Sequence, residues 1–288
     1  VEEVISQMKK NVISVSRSDI RKDTTLRKLI FIKILSINFN NMKKLRTLLL
    51  LSMVALTVAF FSSCSSDDDD SSKFKDVTLT AGSSQMLNSG EDLTWKSENS
   101  FIAEVVNGEI KAYRVGETKV ASNKGSFKIK VTPKYNYFEE PNINFGTSIK
   151  DVKKSMKNYN LLLEDANSLA YEGTNYAKII MYIFKNNALE ISSILTKSSY
   201  STQVANWLNE RYVYAATTDD YIGFVSVDKT TVILVTPTQF NNTWYYSIVY
   251  GKLKKDSKSA NSTLKKMPQK SNVDKIEYLI QDLSSKIK

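Results

Sequence analysis

Histidine is absent from all 288 residues, and cysteine occurs once, as Cys64 in TVAFFSSCSSDDDD. Those two facts remove most side-chain chemistry before any fold is considered. Histidine is the usual general base near neutral pH and the commonest metal ligand. Serine–histidine and cysteine–histidine mechanisms are excluded, as are ordinary zinc sites. Carboxylates remain, in adjacent pairs at Glu139-Glu140, Glu164-Asp165 and Asp219-Asp220. A glycosidase needs two carboxyls facing one another across roughly 5 to 9 Å, whereas neighbours on a strand point to opposite faces. The pairs also sit at turns, where solvated acids are ordinary. No catalytic residue, metal site or cofactor is assigned. What is left is one thiol and much aromatic surface, with 13 of the 15 tyrosines in residues 134–251.

The thiol has an informative neighbourhood. Upstream of it stand MKKLR, from Met42 to Arg46, and a nearly unbroken apolar run from Leu48 to Phe61. A positive start, a short apolar run and small residues before a boundary make a secretory signal. The run is shorter than the roughly 20 residues that span a bilayer as a helix. Ser62 and Ser63 precede Cys64, and this arrangement resembles the lipobox of bacterial lipoproteins. There the cysteine takes acyl chains such as palmitate and becomes the new N-terminus. Phe61 departs from that pattern, which usually has a Leu-like residue three before the cysteine. The competing reading is a buried core helix with an inert cysteine.

Asp67, Asp68, Asp69 and Asp70 follow at once, and like charges in a row form a solvated tether. With the cysteine they resemble the acidic signal that sends some lipoproteins of the Bacteroides group to the outer face of the outer membrane. A plain spacer is the alternative. The resemblance implies an outer-membrane, lipid-anchored, surface-exposed protein, and a working chain that begins at Cys64. Residues 1–41, which open on Val1, then read as an upstream or mis-set start, 42–63 as the signal and 64–73 as the tether. A basic membrane-surface segment around TLRKLIFIKILSI is the weaker reading of the first stretch.

Divided this way, the net charge of +10 ceases to point at nucleic acid. Residues 1–63 carry +7 and residues 252–288 carry +6, leaving 65–251 at −3. A nucleic-acid protein needs a clustered basic face, so no nucleic-acid partner is expected. The elements between tether and tail suit two small domains.

Residues 74–133 alternate apolar and polar residues in short runs, the signature of strands with one buried face. Asn107-Gly108, between AEVV and IKAYRV, is a hairpin signal because both residues accept positive φ. Gly82, Trp95-Lys96-Ser97-Glu98-Asn99, Ile102 to Val105, Asn107-Gly108 and Gly116-Glu117-Thr118 before Val120 resemble the group 2 bacterial immunoglobulin-like domain. That resemblance implies an all-β sandwich, a spacer or adhesive role, and a core position for Trp95. Leu87 reaches Trp95 with too few residues for the usual strands, so the sandwich is shortened.

Residues 134–251 read as an α+β module. GTSIKDVKKSMKN is a helix capped by Ser148, with Asp151 three residues on, and four strand-like runs follow. YSTQVANWLNE then repeats the helix, with Ser201, Val204 and Leu208 in place of Ser148, Val152 and Met156, and four more runs follow. A spacing of about 52 residues reads as a divergent tandem repeat. The expected architecture is an antiparallel sheet with helices on one face. At the level of fold alone it resembles the helix-plus-sheet repeats of the β-lactamase inhibitor protein and of small outer-membrane assembly lipoproteins. Tyr182, Trp244, Tyr246 and Tyr250 are the candidate ligand-binding residues, to be offered by a face the helices leave open. The competing account is that such residues simply favour half-buried strands. Residues 252–270 read as a basic linker and 271–288 as an amphipathic helix, capped by Ser271 or Asn272, with Val273, Ile276, Ile280, Leu283 and Ile287 on one stripe.

The functional expectation is a non-enzymatic binding or adhesion module on an immunoglobulin-like stalk, taking a glycan or a protein ligand. A periplasm-facing envelope-assembly lipoprotein is the alternative, followed by a carboxylate-dependent hydrolase.

Overall fold

The computed structural model describes residues 74–87, 93–253 and 269–286, together with Ile32. Cys64, Asp67 to Asp70, and the Leu87-to-Trp95 connection over 88–92 lie outside the described residues. The described chain is mostly β-sheet with few helices.

The first strands are β1 (Val77–Thr80), β2 (Ser84–Met86), β3 (Lys96–Ser97), β4 (Ala103–Val106), β5 (Glu109–Ala112), β6 (Gly116–Ser122) and β7 (Gly125–Thr132). They form two sheets, ordered β1-β7-β6-β3 and β2-β5-β4. β1 runs parallel to β7, and every other pairing in the two sheets is antiparallel. Alternation does its work in β7: Phe127, Ile129 and Val131 are buried while Lys128 and Lys130 face water. Those three meet Ala103, Ile110 and Val120 in one core. Asn107 and Gly108 turn β4 into β5 with φ of 51° and 72°, as the sequence requires. Trp95 packs edge-on against Phe74 at 4.8 Å and Phe127 at 5.4 Å, within this core.

Next come α1 (Ile149–Ser155), β8 (Leu161–Glu164), β9 (Ser168–Glu172), β10 (Ala177–Lys185) and β11 (Ala188–Lys197). After a 3-10 turn (Ser198–Tyr200) follow α2 (Ser201–Asn209), β12 (Tyr212–Thr217), β13 (Ile222–Ser226), β14 (Thr231–Phe240), β15 (Thr243–Lys252) and α3 (Gln269–Lys286). The eight strands make one antiparallel sheet in the order β12-β13-β14-β15-β11-β10-β9-β8. Each run of four strands starts at an edge and ends at the centre, where β11 pairs β15 with Ile194 opposite Ile248. Asn186-Asn187 turns β10 into β11 and Asn241-Asn242 turns β14 into β15, all four at positive φ. Asparagine tolerates that region better than other residues with a side chain.

Ser148 caps α1 as expected: its Oγ accepts the Asp151 N–H at 3.1 Å and donates to the Asp151 carboxylate at 2.7 Å. Ser201 does not cap α2. The 3-10 turn feeds the chain straight into the helix, and Tyr200 stands at the cap position without a side-chain bond.

α1 lays Val152 and Met156 on Leu169, Tyr171, Ile180 and Tyr182. On the same face, α2 buries Val204, Ala205, Trp207 and Leu208 in a cluster with Ile194, Phe224, Ile233, Ile248 and Tyr250. Residues 135–147 add Phe138 to the α2 cluster, and the Ser192 hydroxyl donates to the Asn142 carbonyl. The face expected to stay open is instead covered by α3, whose Ile276, Leu279, Ile280 and Leu283 lie on Ile179, Met181, Leu195, Leu234 and Val249. The reason is that the central strands are apolar on both sides, so neither face is stable in water. α3 begins at Gln269, which places Ser271 and Asn272 inside it. No described helix is long and apolar enough to cross a membrane.

Candidate binding surface

The aromatic row expected to face a ligand is core. Tyr182, Tyr246 and Tyr250 are 1%, 1% and 0% exposed, because α1 and α2 cover the side of the sheet on which they project. Trp244, on β15 opposite Gln239, is half-buried. Tyr182 is held by the Asn142 N–H and by a bond to the Met156 sulfur, both at 3.4 Å. Burial pushes its phenol up to about 12. The Tyr250 phenol is raised by burial and then by Glu140, with Arg211 opposing.

The paired acids also have separate local tasks. Glu139 accepts from the Tyr159 hydroxyl, and Glu140 accepts from the Tyr212 hydroxyl. Glu164 pairs with Lys153 at 2.8 Å, and Asp165 accepts the Ser168 hydroxyl and the Asn167 N–H in the β8–β9 turn. Asp219 and Asp220 lie in the exposed β12–β13 connection. Among the described residues no cluster of three or more metal-ligating groups occurs.

A different aromatic group reaches the surface. Tyr135 stacks on Tyr137 with centroids 5.4 Å apart and planes at 21°. Tyr137 meets Tyr176 edge-on at 5.3 Å, and Tyr176 meets Tyr200 edge-on at 4.9 Å. All four are half-buried. Beneath them Tyr176 contacts Phe138 at 6.1 Å, which in turn contacts Trp207 at 5.5 Å. The Lys134 ammonium lies 5.5 Å from the Tyr135 ring centre. Edge-to-face and offset contacts of this kind hold rings at fixed angles.

Three connections supply these rings, and hydrogen bonds hold those of Tyr135 and Tyr176. The buried Glu210 carboxylate, just after α2, accepts the Lys134 N–H at 2.9 Å and the Tyr135 N–H at 3.1 Å. Arg211 pairs with the same carboxylate and lays its guanidinium 4.8 Å over Trp207. The Thr196 hydroxyl donates to the Tyr176 carbonyl at 2.8 Å. At Gly173, a Cβ would stand 2.7 Å from the Ala177 carbonyl oxygen, so only glycine permits the tight turn that presents Tyr176. Asn175, in that turn, has φ of 54°.

The result is a pinned patch of rings and phenol hydroxyls. It can stack against apolar or sugar-ring surfaces and exchange hydrogen bonds, but it holds no nucleophile and base in contact. The sequence did carry a signal for part of it. In KYNYFEE, Tyr135 and Tyr137 alternate with Lys134 and Asn136, both exposed. Tyr176 and Tyr200 have no such local mark. No known protein family and no curated protein matches the chain.

Proposed function

We propose that the chain is a lipid-anchored, non-enzymatic binding protein of the bacterial surface, and that the Tyr135–Tyr137–Tyr176–Tyr200 patch is where it binds. The carrying observation is that patch: four half-buried tyrosines from three connections, in mutual contact and pinned by a buried ion pair. Exposed rings that are held rigidly lose little freedom on binding. The order and the parallel β1–β7 pair of the sandwich support an immunoglobulin-like stalk. The edge-to-centre order of both strand runs and the matching Asn-Asn turns support a duplicated module. Cys64 and Asp67 to Asp70 support the anchor and the outward address, and the net charge of −3 over 65–251 disfavours polyanionic ligands.

The test is a glycan and protein array probed with the chain from Cys64 onward, beside a Tyr135→Ala/Tyr176→Ala double variant. A ring contact is worth about 0.5–1.5 kcal/mol, so the double variant should lose roughly five- to a hundredfold in affinity for any ligand found. A ligand that binds both proteins alike removes the patch from the site. Silence on the arrays, together with hydrolysis of a polysaccharide, overturns the binding reading altogether.

A further inference from the structure

Tyr135, Tyr137, Tyr176 and Tyr200 all have ring partners, yet none of their hydroxyls has a hydrogen-bond partner among the described residues. Other phenols are committed inside the fold: Tyr113 donates to Glu104 at 2.6 Å, Tyr159 to Glu139 and Tyr212 to Glu140. The patch therefore holds its rings still and leaves their hydroxyls to the solvent. Neutral polar side chains flank them. Asn136 stands between Tyr135 and Tyr137, Thr174 and Asn175 precede Tyr176, and Ser199 precedes Tyr200, all four exposed. Hydroxyls and amides both donate and accept. The charged residues within two positions of a ring are Lys134, Glu139 and Lys178. Lys134 lies against Tyr135, and Glu139 accepts from Tyr159, so no cluster of cations is left for an acidic ligand. The large apolar side chains exposed among the described residues, Met86, Phe101, Leu161 and Tyr278, all belong to other segments.

We infer that the patch reads an uncharged, hydroxyl-rich glycan, with the rings as platform and the phenol hydroxyls as the recognising groups. That ligand presupposes the patch as the binding surface, as proposed above, and narrows it to one chemical class. Charge matches: neutral donors and acceptors on the protein meet neutral donors and acceptors on the sugar. A protein partner would bring an apolar centre to its interface, and no exposed aliphatic side chain of the patch is there to meet it. Burying four phenols against such a surface would strip their water without replacement, which is costly for each group left unpaired. A sugar ring has C–H faces for aromatic contact and a rim of hydroxyls that replaces the lost water.

The chain from Cys64 onward, with Cys64→Ser to keep it free of lipid, is titrated calorimetrically with soluble polysaccharides. Dextran, mannan, laminarin and arabinoxylan are the neutral probes, and polygalacturonate and chondroitin sulfate the acidic ones. At least one neutral probe should bind, with an affinity that holds between about 0.05 and 0.5 M salt, since screening acts on charges. Tyr137→Phe and Tyr176→Phe keep the rings and remove one hydroxyl each. Each should weaken that binding about two- to tenfold, the worth of one hydrogen bond, at an unchanged melting temperature. Full affinity in both variants means that the hydroxyls are not read, and it overturns the inference. So does preference for an acidic probe that salt abolishes, or silence of every neutral probe. If the Tyr135→Ala/Tyr176→Ala double variant still loses an array ligand in those cases, the proposed function stands with a different ligand. A neutral probe held equally by that double variant and by the parent removes the patch itself, and both readings fall.

Discussion

The Glu210 carboxylate accepts two backbone N–H groups, from Lys134 and Tyr135, and pairs with the Arg211 guanidinium while only 1% exposed. Removing one partner of a buried pair leaves the other charge without compensation, at a cost of about 3–5 kcal/mol. Glu210→Ala should lose that much stability in urea unfolding, and it should release the start of the 135–147 segment, so array affinity falls with it. Glu210→Gln keeps one acceptor oxygen and should fall between the two. A change below about 1 kcal/mol for Glu210→Ala, typical of an exposed pair, would show that the carboxylate is not the anchor. Nothing local in the sequence marks this residue. Its partners lie 75 and 76 positions away, and an acid at a helix end is ordinary. Of the acids that did stand out, because they come in pairs, Glu139, Glu140, Glu164 and Asp165 each bond a tyrosine, a lysine or a turn, while Asp219 and Asp220 lie exposed.

Elements were legible where a pattern has one period and one face. Ser148 with Asp151, the Asn107-Gly108 hairpin and the β7 alternation all came from local chemistry, and the structure follows them. Faces were not legible for β10 and β15, which carry apolar or aromatic residues on both sides, so alternation cannot say which side a helix covers. That is why Tyr182, Tyr246 and Tyr250 could be taken for an open surface when they are core. The stripe of α3 was readable, but the face of the sheet that it covers was not. It closes the face opposite α1 and α2, with Ile276, Ile280 and Leu283 fully buried, and Leu279 joins them. Deleting a buried isoleucine side chain to alanine costs about 2–5 kcal/mol. Ile280→Ala should therefore destabilise the large sheet by that amount, while Tyr278→Ala, at 77% exposure two residues away, should be within about 0.5 kcal/mol of the parent. Equal, small effects from both would mean that α3 does not hold the sheet.

At the scale of the molecule, the sandwich and the large sheet are joined by specific bonds. The Val115 N–H donates to the Glu210 carbonyl at 2.7 Å, and Arg114 Nε donates to the Tyr212 carbonyl at 3.2 Å. Val227, from the β13–β14 connection, packs against the sandwich core. The stalk of the proposed function would thus hold the tyrosine patch at a set orientation, and that arrangement depends on contacts no sequence pattern displays. Location, by contrast, rests under the proposed function on one short stretch. Replacing Cys64 with Ala removes the acceptor thiol and leaves the apolar run, both cores and the patch intact. The chain should still be exported, but it should move to the aqueous phase of a detergent partition, because anchoring energy comes from buried methylenes at roughly 0.8 kcal/mol each. Replacing Asp67 to Asp70 with Ala should leave the protein in the detergent phase and protect it from protease added to intact cells. Under the proposed function the acids add no membrane affinity and act only as a solvated address. If the Cys64→Ala chain stays as membrane-bound as the parent, the thiol is not the anchor, and surface display loses its first step. If the four-alanine chain is shaved as readily as the parent, the acids are a spacer and the outward address lies elsewhere.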